Sequence, residues 1–215
     1  MVSYPDLSIF PLRGLSKATT MRYVSTQHFS FLNQKQLQGG NVPAPSSTLE
    51  GLMAKEILTA IARPAAIVSA ALIIMHPEQY YEGVKNHVHL QGRALSGELP
   101  IWDILQLWAS VFTSLSVIVN QETPIHREVV SRARWFDILT STGSYYDVDL
   151  FLPSLQMKLK YEAGVMVGMS RKVVRHRVPR AWGAQICWVW NMQEEVHKYT
   201  NTPRGGWSSL GLSPE

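Results

Sequence analysis

The sequence predicts an α+β protein, with helices in its first half and a run of short strands after them. Three observations carry that expectation. A capping pattern and apolar stretches fill residues 47–108, as helices require. From about residue 114, short apolar or alternating segments recur at roughly ten-residue spacing, separated by Gly and Pro turns, which reads as a sandwich or roll. Helices followed by strands, rather than the two alternating, is the α+β order. At 215 residues, 46% hydrophobic and 17% charged, the chain suits one folded domain with one substantial core.

The elements follow in order. Residues 22–25 and 28–32 alternate with period two and read as short strands. Gln38-Gly39-Gly40 and Pro43-Ala44-Pro45-Ser46-Ser47 punctuate a loop. Ser47 with Glu50 fits a capping box at the start of a helix reaching about Ala62, and Pro64 interrupts it. Residues 65–75 are apolar all round and predict a second, buried helix, about half the length of a membrane span. Pro77 opens a more polar helix toward Val84, and residues 100–108 predict another. Strands are expected at residues 116–119, 147–153, 156–161, 164–168, 172–176 and 186–190. There is no internal repeat and no low-complexity tract. The division expected is a partly irregular N-terminal extension over residues 1–47, then one domain over 48–215. Its helices run to about 110 and its β-roll starts at about 114.

Charge and cysteine usage narrow the setting. A formal charge of +4 and a pI near 9.2 permit a polyanionic partner without requiring one. The lone Cys187, inside Ile186-Cys187-Trp188-Val189-Trp190, allows no disulfide within the chain and reads as a core thiol. An intracellular, reducing compartment is therefore expected. The start of the sequence shows no apolar signal core, so a soluble protein is expected, with no membrane partner.

Chemistry is concentrated in one pattern. His126-Arg127-Glu128 places an imidazole and a carboxylate at i and i+2, which share a face when the segment is extended. His176 supplies a second imidazole farther along. Two histidines and one carboxylate are the ligand set of a non-haem Fe(II) oxygenase, holding one face of the metal and leaving the other open. By pattern alone this is weak, because a chain with seven His and sixteen acidic residues often contains His-x-Glu by chance. The competing reading is a surface histidine beside a solvated Arg-Glu pair. His87-Val88-His89 has no evident partner ligand and reads as a polar loop after a helix. The densest basic run, residues 170–180, brackets His176 and could meet phosphates, or be solvated strand edges. Trp182, Trp188 and Trp190 could stack bases, although alternating aromatics in a strand usually pack in a core.

Further residues carry a family resemblance. They are His76-Pro77-Glu78-Gln79-Tyr80, the segment from Val119-Asn120 through His126-Arg127-Glu128, Arg134-Trp135-Phe136-Asp137-Ile138-Leu139, Gly143-Ser144-Tyr145, Leu152-Pro153-Ser154-Leu155, Val174-Arg175-His176-Arg177-Val178, Val196-His197 and Gly206-Trp207. Over more than half of its length the chain resembles the fungal, transposon-associated branch of the TET/JBP-like 2-oxoglutarate and Fe(II)-dependent dioxygenases. The resemblance implies a double-stranded β-helix, or jelly roll, flanked by N-terminal helices. It implies Fe(II) held by His126, Glu128 and His176, with 2-oxoglutarate as co-substrate. It also implies hydroxylation of a methylated nucleobase such as 5-methylcytosine, DNA as partner, and hence a nuclear site of action. Asn120 would face the substrate base or close a strand. His197 would face the substrate pocket or lie on a helix surface.

Three departures point to activity that is weak or lost. Glu128 stands where the family has Asp, and the extra methylene moves the carboxylate by about 1.5 Å against a tolerance of about 0.5 Å. Gln185 stands where the family has the Arg that binds the distal carboxylate of 2-oxoglutarate, and an uncharged amide cannot make that fork. Arg180 or Arg177 would have to substitute. Ser170-Arg171-Lys172 replaces a Ser-Gly-Arg turn. The alternatives kept beside an active enzyme are a catalytically inactive relative that binds nucleic acid or protein, and a truncated gene product without function.

Overall fold

The computed structural model describes residues 25–30, 42–129, 131–203 and 206. The expected strand residues 22–24 and 31–32 and the Gln38-Gly39-Gly40 loop lie outside them, as does Trp207. The elements are β1 (Ser25–Ser30), α1 (Ser47–Glu50), α2 (Ala54–Met75), α3 (Pro77–Leu95), α4 (Trp102–Leu107), β2 (Ser114–Val119), β3 (Asp137–Tyr146), β4 (Asp149–Leu152), a short 3₁₀ turn (Pro153–Leu155), β5 (Met157–Lys160), β6 (Met166–Met169), β7 (Trp182–Asn191) and α5 (Glu194–Tyr199).

The helical layer differs from expectation in three places. Ser46 precedes α1 but does not cap it; its hydroxyl donates to the His28 carbonyl (3.1 Å) and accepts from the Ser30 N–H (3.2 Å), tying α1 to β1. The one-turn α1 ends at Gly51, and α2 then runs unbroken through Pro64. An interior proline costs about 3 kcal/mol in a helix. Here it is offset by a buried stripe of Leu58, Ile61, Ala65, Val68 and Leu72. By length and mean hydropathy (22 residues, 2.1), α2 is apolar enough to cross a membrane, but that stripe belongs to the main hydrophobic core. Helix α3 continues well past Val84 because its buried face is polar in part: Gln79, Glu82 and Asn86 share it with Leu90 and Ala94.

The strands are antiparallel. Five form a sheet in the order β1-β2-β7-β3-β6, and β4 pairs with β5. Two isolated bridges add to these: His126↔His176 joins two loops, and Phe151 of β4 pairs on its other side with Arg177. Among the described residues the strands do not close into a barrel, so the observed class is helices packed on antiparallel sheet. β1, from the stretch read as an extension, is the edge strand beside β2. The expected strand over 172–176 is instead a turn through Val174, in which the Val173 and Val174 N–H groups both reach the Ser170 carbonyl, and only His176 pairs, in its bridge to His126. β3 was not expected. Its sequence, DILTSTGSYY, hides the alternation under small polar residues.

The main sheet has two distinct faces. Leu115 and Val117 of β2, Ile138 of β3, and Ile186, Trp188 and Trp190 of β7 pack with the helices in one core. Leu139 of β3, together with Cys187 and Val189 of β7, faces a second core with Leu150, Leu152, Tyr161 and Val178. Near the Trp182 end, β3 and β7 approach too closely for side chains. A Cβ on Gly143 (φ +122°) would lie 2.1 Å from the Ala184 oxygen, and one on Gly183 (φ +113°) would lie 2.3 Å from the Ser144 oxygen.

Candidate functional site

The second face of the sheet opens into a cleft of about 690 Å³. Its sheet side includes His28 of β1, Ser116 and Ile118 of β2, and Val189 of β7. The opposite wall is the segment bearing His126 and Glu128, with Arg171 behind it. Two features of the sequence hold the segment that leads from this wall into β3. Gln79, fully buried in α3, donates from its amide to the Phe136 carbonyl (2.9 Å) and accepts from the Phe136 N–H (2.7 Å). His76, also fully buried, lies 2.9 Å through Nε2 from the Arg134 carbonyl and accepts from the Gln79 N–H through Nδ1 (3.2 Å). Thus His76-Pro77-Glu78-Gln79 and Arg134-Trp135-Phe136 form one clamp that sets the start of β3. Glu78 extends it by accepting from the Gly206 N–H (3.0 Å).

His126 and His176 are brought together. Their backbones exchange both hydrogen bonds of an antiparallel pair (3.1 and 3.0 Å), and their rings lie 4.2 Å apart, centroid to centroid. Each ring turns Nδ1 to a carbonyl two residues back: His126 to Pro124 (2.8 Å) and His176 to Val174 (3.1 Å). A carbonyl only accepts, so Nδ1 carries the proton in both rings and the neutral form leaves Nε2 with its lone pair. That is the tautomer a metal-binding imidazole needs. Burial pushes the His176 pKa down to about 4; the Val174 hydrogen bond opposes this, and His126 and Arg171 add to it. At neutral pH His176 is therefore uncharged.

Glu128 shares the cleft with His126, as their spacing requires, but its carboxylate is engaged elsewhere. Its Oε2 lies 3.7 Å from Nη2 of Arg171, and its N–H donates to the Arg171 carbonyl (2.9 Å). Arg171 is 7% exposed and donates through Nε to the fully buried Asp137 (2.8 Å), which also accepts from Ser131 (3.4 Å). Burial raises the Asp137 pKa, while the charge and hydrogen bond of Arg171 pull it back. Among the described residues no set of three or more His, Cys, Asp or Glu converges as a metal-holding group. The two imidazoles suit a metal; with Glu128 turned to Arg171, the three residues do not fit a facial triad as they stand.

The remaining predicted residues sit apart from this pair. Gln185 is buried, its amide 3.3 Å from the Ser141 hydroxyl, in a neutral cluster with Tyr145 and Cys187. Burial raises the Cys187 thiol to about 11, as expected of a core thiol rather than a nucleophile. Asn120 closes β2 with φ +53° and caps the Gln185 N–H through Oδ1 (2.8 Å), the arrangement of a strand-ending residue. Arg180 is exposed and does not line the cleft. His197 is fully buried in α5, its ring 4.9 Å from that of Trp135, and likewise does not line the cleft.

Sequence reasoning missed three participants. His28 hydrogen-bonds Ser116 (2.9 Å) and feels the charge of Glu128 across the cleft. Its place depends on β1 pairing with β2, which no local motif encodes. Asp137 and Arg171 are 34 residues apart. Asp137 follows Arg134-Trp135-Phe136 and Arg171 follows Ser170, and their opposite charges were the available signal.

No family model and no curated protein matches the chain. Among solved structures it is similar to NgTET1, in a structure described as a complex with 5mC DNA. The TM-score is 0.55 at 11% identity, over 86% of this chain and 65% of that one. The fold is TET-like. At that identity the likeness is one of fold alone, and the chain spans about 65% of the NgTET1 chain's length. A cupin 2 conserved barrel domain protein from Salinispora arenicola aligns with 41% of this chain and 70% of its own, with 16% identity and a TM-score of 0.30.

Proposed function

We propose that this chain is a TET-type, dioxygenase-like protein whose turnover on a methylated nucleobase, such as 5-methylcytosine, is weak or lost. In this reading its sheets belong to a double-stranded β-helix of the fungal, transposon-associated branch. Its ligands are Fe(II) and 2-oxoglutarate, its partner is DNA carrying methylated bases, and it acts inside the nucleus. The observation that carries the reading is the His126–His176 pair: two imidazoles held side by side by a backbone bridge, each with Nδ1 turned to a carbonyl, His126 lining the cleft of a TET-like fold.

What the residues do follows from their placement. Nδ1 hydrogen bonds fix both rings, so metal affinity would rest on this pair. The cleft volume lies within the 300–1,000 Å³ range of small-molecule sites, enough for a base flipped out of a duplex. Weak turnover is expected for two reasons. Glu128 faces Arg171 as a loose ion pair at 3.7 Å, and Gln185 offers no charge to a dicarboxylate. The same two observations favour a second reading, a catalytically inactive relative retained as a nucleic-acid or protein interaction module.

Anaerobic Fe(II) titration, with and without 2-oxoglutarate, tests the first reading. Weak binding that His126→Ala abolishes is expected, with little succinate formed on methylated DNA. Iron binding by His126→Ala equal to that of the parent chain would sink it. DNA binding indifferent to iron, with no metal bound by either chain, would favour the interaction module.

A further inference from the structure

The cleft contains three cations: Arg132, Arg171 and Lys172. Two are spoken for. Arg132 pairs with Glu194 (3.4 Å) and lies over the Trp135 ring, and the Lys172 ammonium donates to the Val129 carbonyl. Arg171 is the most buried of the three and the only one oriented by a fully buried acid. Asp137 holds Nε, which turns the terminal edge of the guanidinium toward Glu128. That second contact is loose. At 3.7 Å it is an ion pair without a hydrogen bond, whereas a well-seated guanidinium–carboxylate pair makes two short parallel bonds. The Glu128 side chain is 26% exposed, so it can leave without unpacking the core.

We infer that Arg171, clamped by Asp137, is the carboxylate-binding group of this cleft, and that Glu128 occupies it as an internal ligand which an incoming dicarboxylate must displace. The inference rests on the dioxygenase reading for the kind of dicarboxylate, a 2-oxo acid such as 2-oxoglutarate, but not for the contact itself. It accounts for how a chain with Gln185 in the neutral interior can still offer a cation to such a ligand: the charge comes from the wall opposite the sheet. It also gives Glu128 a role that opposes ligand binding, contrary to what a metal ligand would do. The partly desolvated site strengthens a charge-assisted pair relative to one in water.

The test uses the full chain in chelator, with 2-oxoglutarate and glutarate as probes in isothermal titration. Removing the internal competitor with Glu128→Gln should tighten both probes about ten- to a hundredfold, the range of one charge-assisted hydrogen bond. Adding Arg171→Lys to that variant keeps a positive charge near Asp137 but loses the fork, and should cancel the gain. Should the double variant fail to fold, the single Glu128→Gln arm still decides. Unchanged or weaker binding by Glu128→Gln, or no binding by it at millimolar probe, overturns the inference. If that occurs while iron-loaded parent chain still binds 2-oxoglutarate, the dioxygenase reading survives without this anchor. Tighter glutarate binding by Glu128→Gln in a chain that binds no iron would leave the anchor standing and remove the dioxygenase reading.

Discussion

Gln79→Met tests the clamp that positions the cleft wall. The substitution keeps side-chain volume and removes both amide hydrogen bonds to Phe136. Gln79 is fully buried, so the Phe136 N–H and carbonyl would lose their partner in a place water reaches poorly. Each buried polar group left unsatisfied costs about 1–3 kcal/mol. For the pair, about 3–5 kcal/mol is expected, or roughly 6–20 °C in melting temperature for a domain of this size. Gln79→Glu should be no milder. It keeps an acceptor for the Phe136 N–H but sets a carboxylate against the Phe136 carbonyl inside the core. Urea unfolding, read by tryptophan fluorescence and circular dichroism together, measures the difference. A Gln79→Met chain within about 0.5 kcal/mol of the parent would refute the reasoning, since that is the scale of an inert surface change.

Two further outcomes are expected. Burial pushes the pKa of His87 from 6.5 down to about 4, the Phe112 backbone hydrogen bond opposing it. The unfolded chain then binds the extra proton between those values, so stability is full above pH 6.5 and falls as pH drops toward 4. The loss by pH 4.5 is about 2–3 kcal/mol, and His87→Gln should remove that share of the difference between unfolding free energies at pH 7 and pH 4.5; an unaltered difference would contradict the assignment. If the basic run meets DNA phosphates, Arg175→Ala should flatten the salt dependence of DNA affinity by about one unit. Arg177→Ala should do less, because Glu122 already pairs with Arg177 at 2.6 Å; equal slopes for both variants and the parent would mark the run as ordinary solvated surface.

The parts of the fold visible in the sequence were those that local patterns encode. β2, β4, β5, β6 and the middle of β7 were read from apolar or alternating runs bounded by Gly and Pro. The misses share a cause. The length of helix α3 is not legible locally because Gln79, Glu82 and Asn86 occupy its buried face, and two of these have distant partners: Asn86 accepts from Thr200 (2.7 Å), as Gln79 bonds Phe136. β3 was lost under Ser141 and Thr142, whose hydroxyls serve Gln185 and Trp188 across the β7 ladder. Pro64 reads as a break by local propensity, but the buried stripe of α2 outweighs it. At the site, His126-x-Glu128 and a later His176 were legible as a spacing. The spacing could not reveal that Arg171 intercepts Glu128. That contact exists only once the bridge at His126 and the turn after Ser170 fold against each other.

The two-faced register of β7 has a consequence for how such a chain changes over time. Along this strand Ile186, Trp188 and Trp190 serve the helices, while Gln185, Cys187 and Val189 look the other way. β7 is bonded on both sides, to β2 and to β3, so a one-residue slip would exchange the two sets and is strongly opposed. Point substitutions meet no such obstacle. A residue on the cleft side can be replaced while every contact made by the tryptophans persists. The scaffold and the chemistry are thus written on alternate letters of one strand, and drift in one set leaves the other legible. A substitution at Gln185, in its neutral pocket with Ser141, would therefore leave the packing of Trp188 and Trp190 on the other face in place.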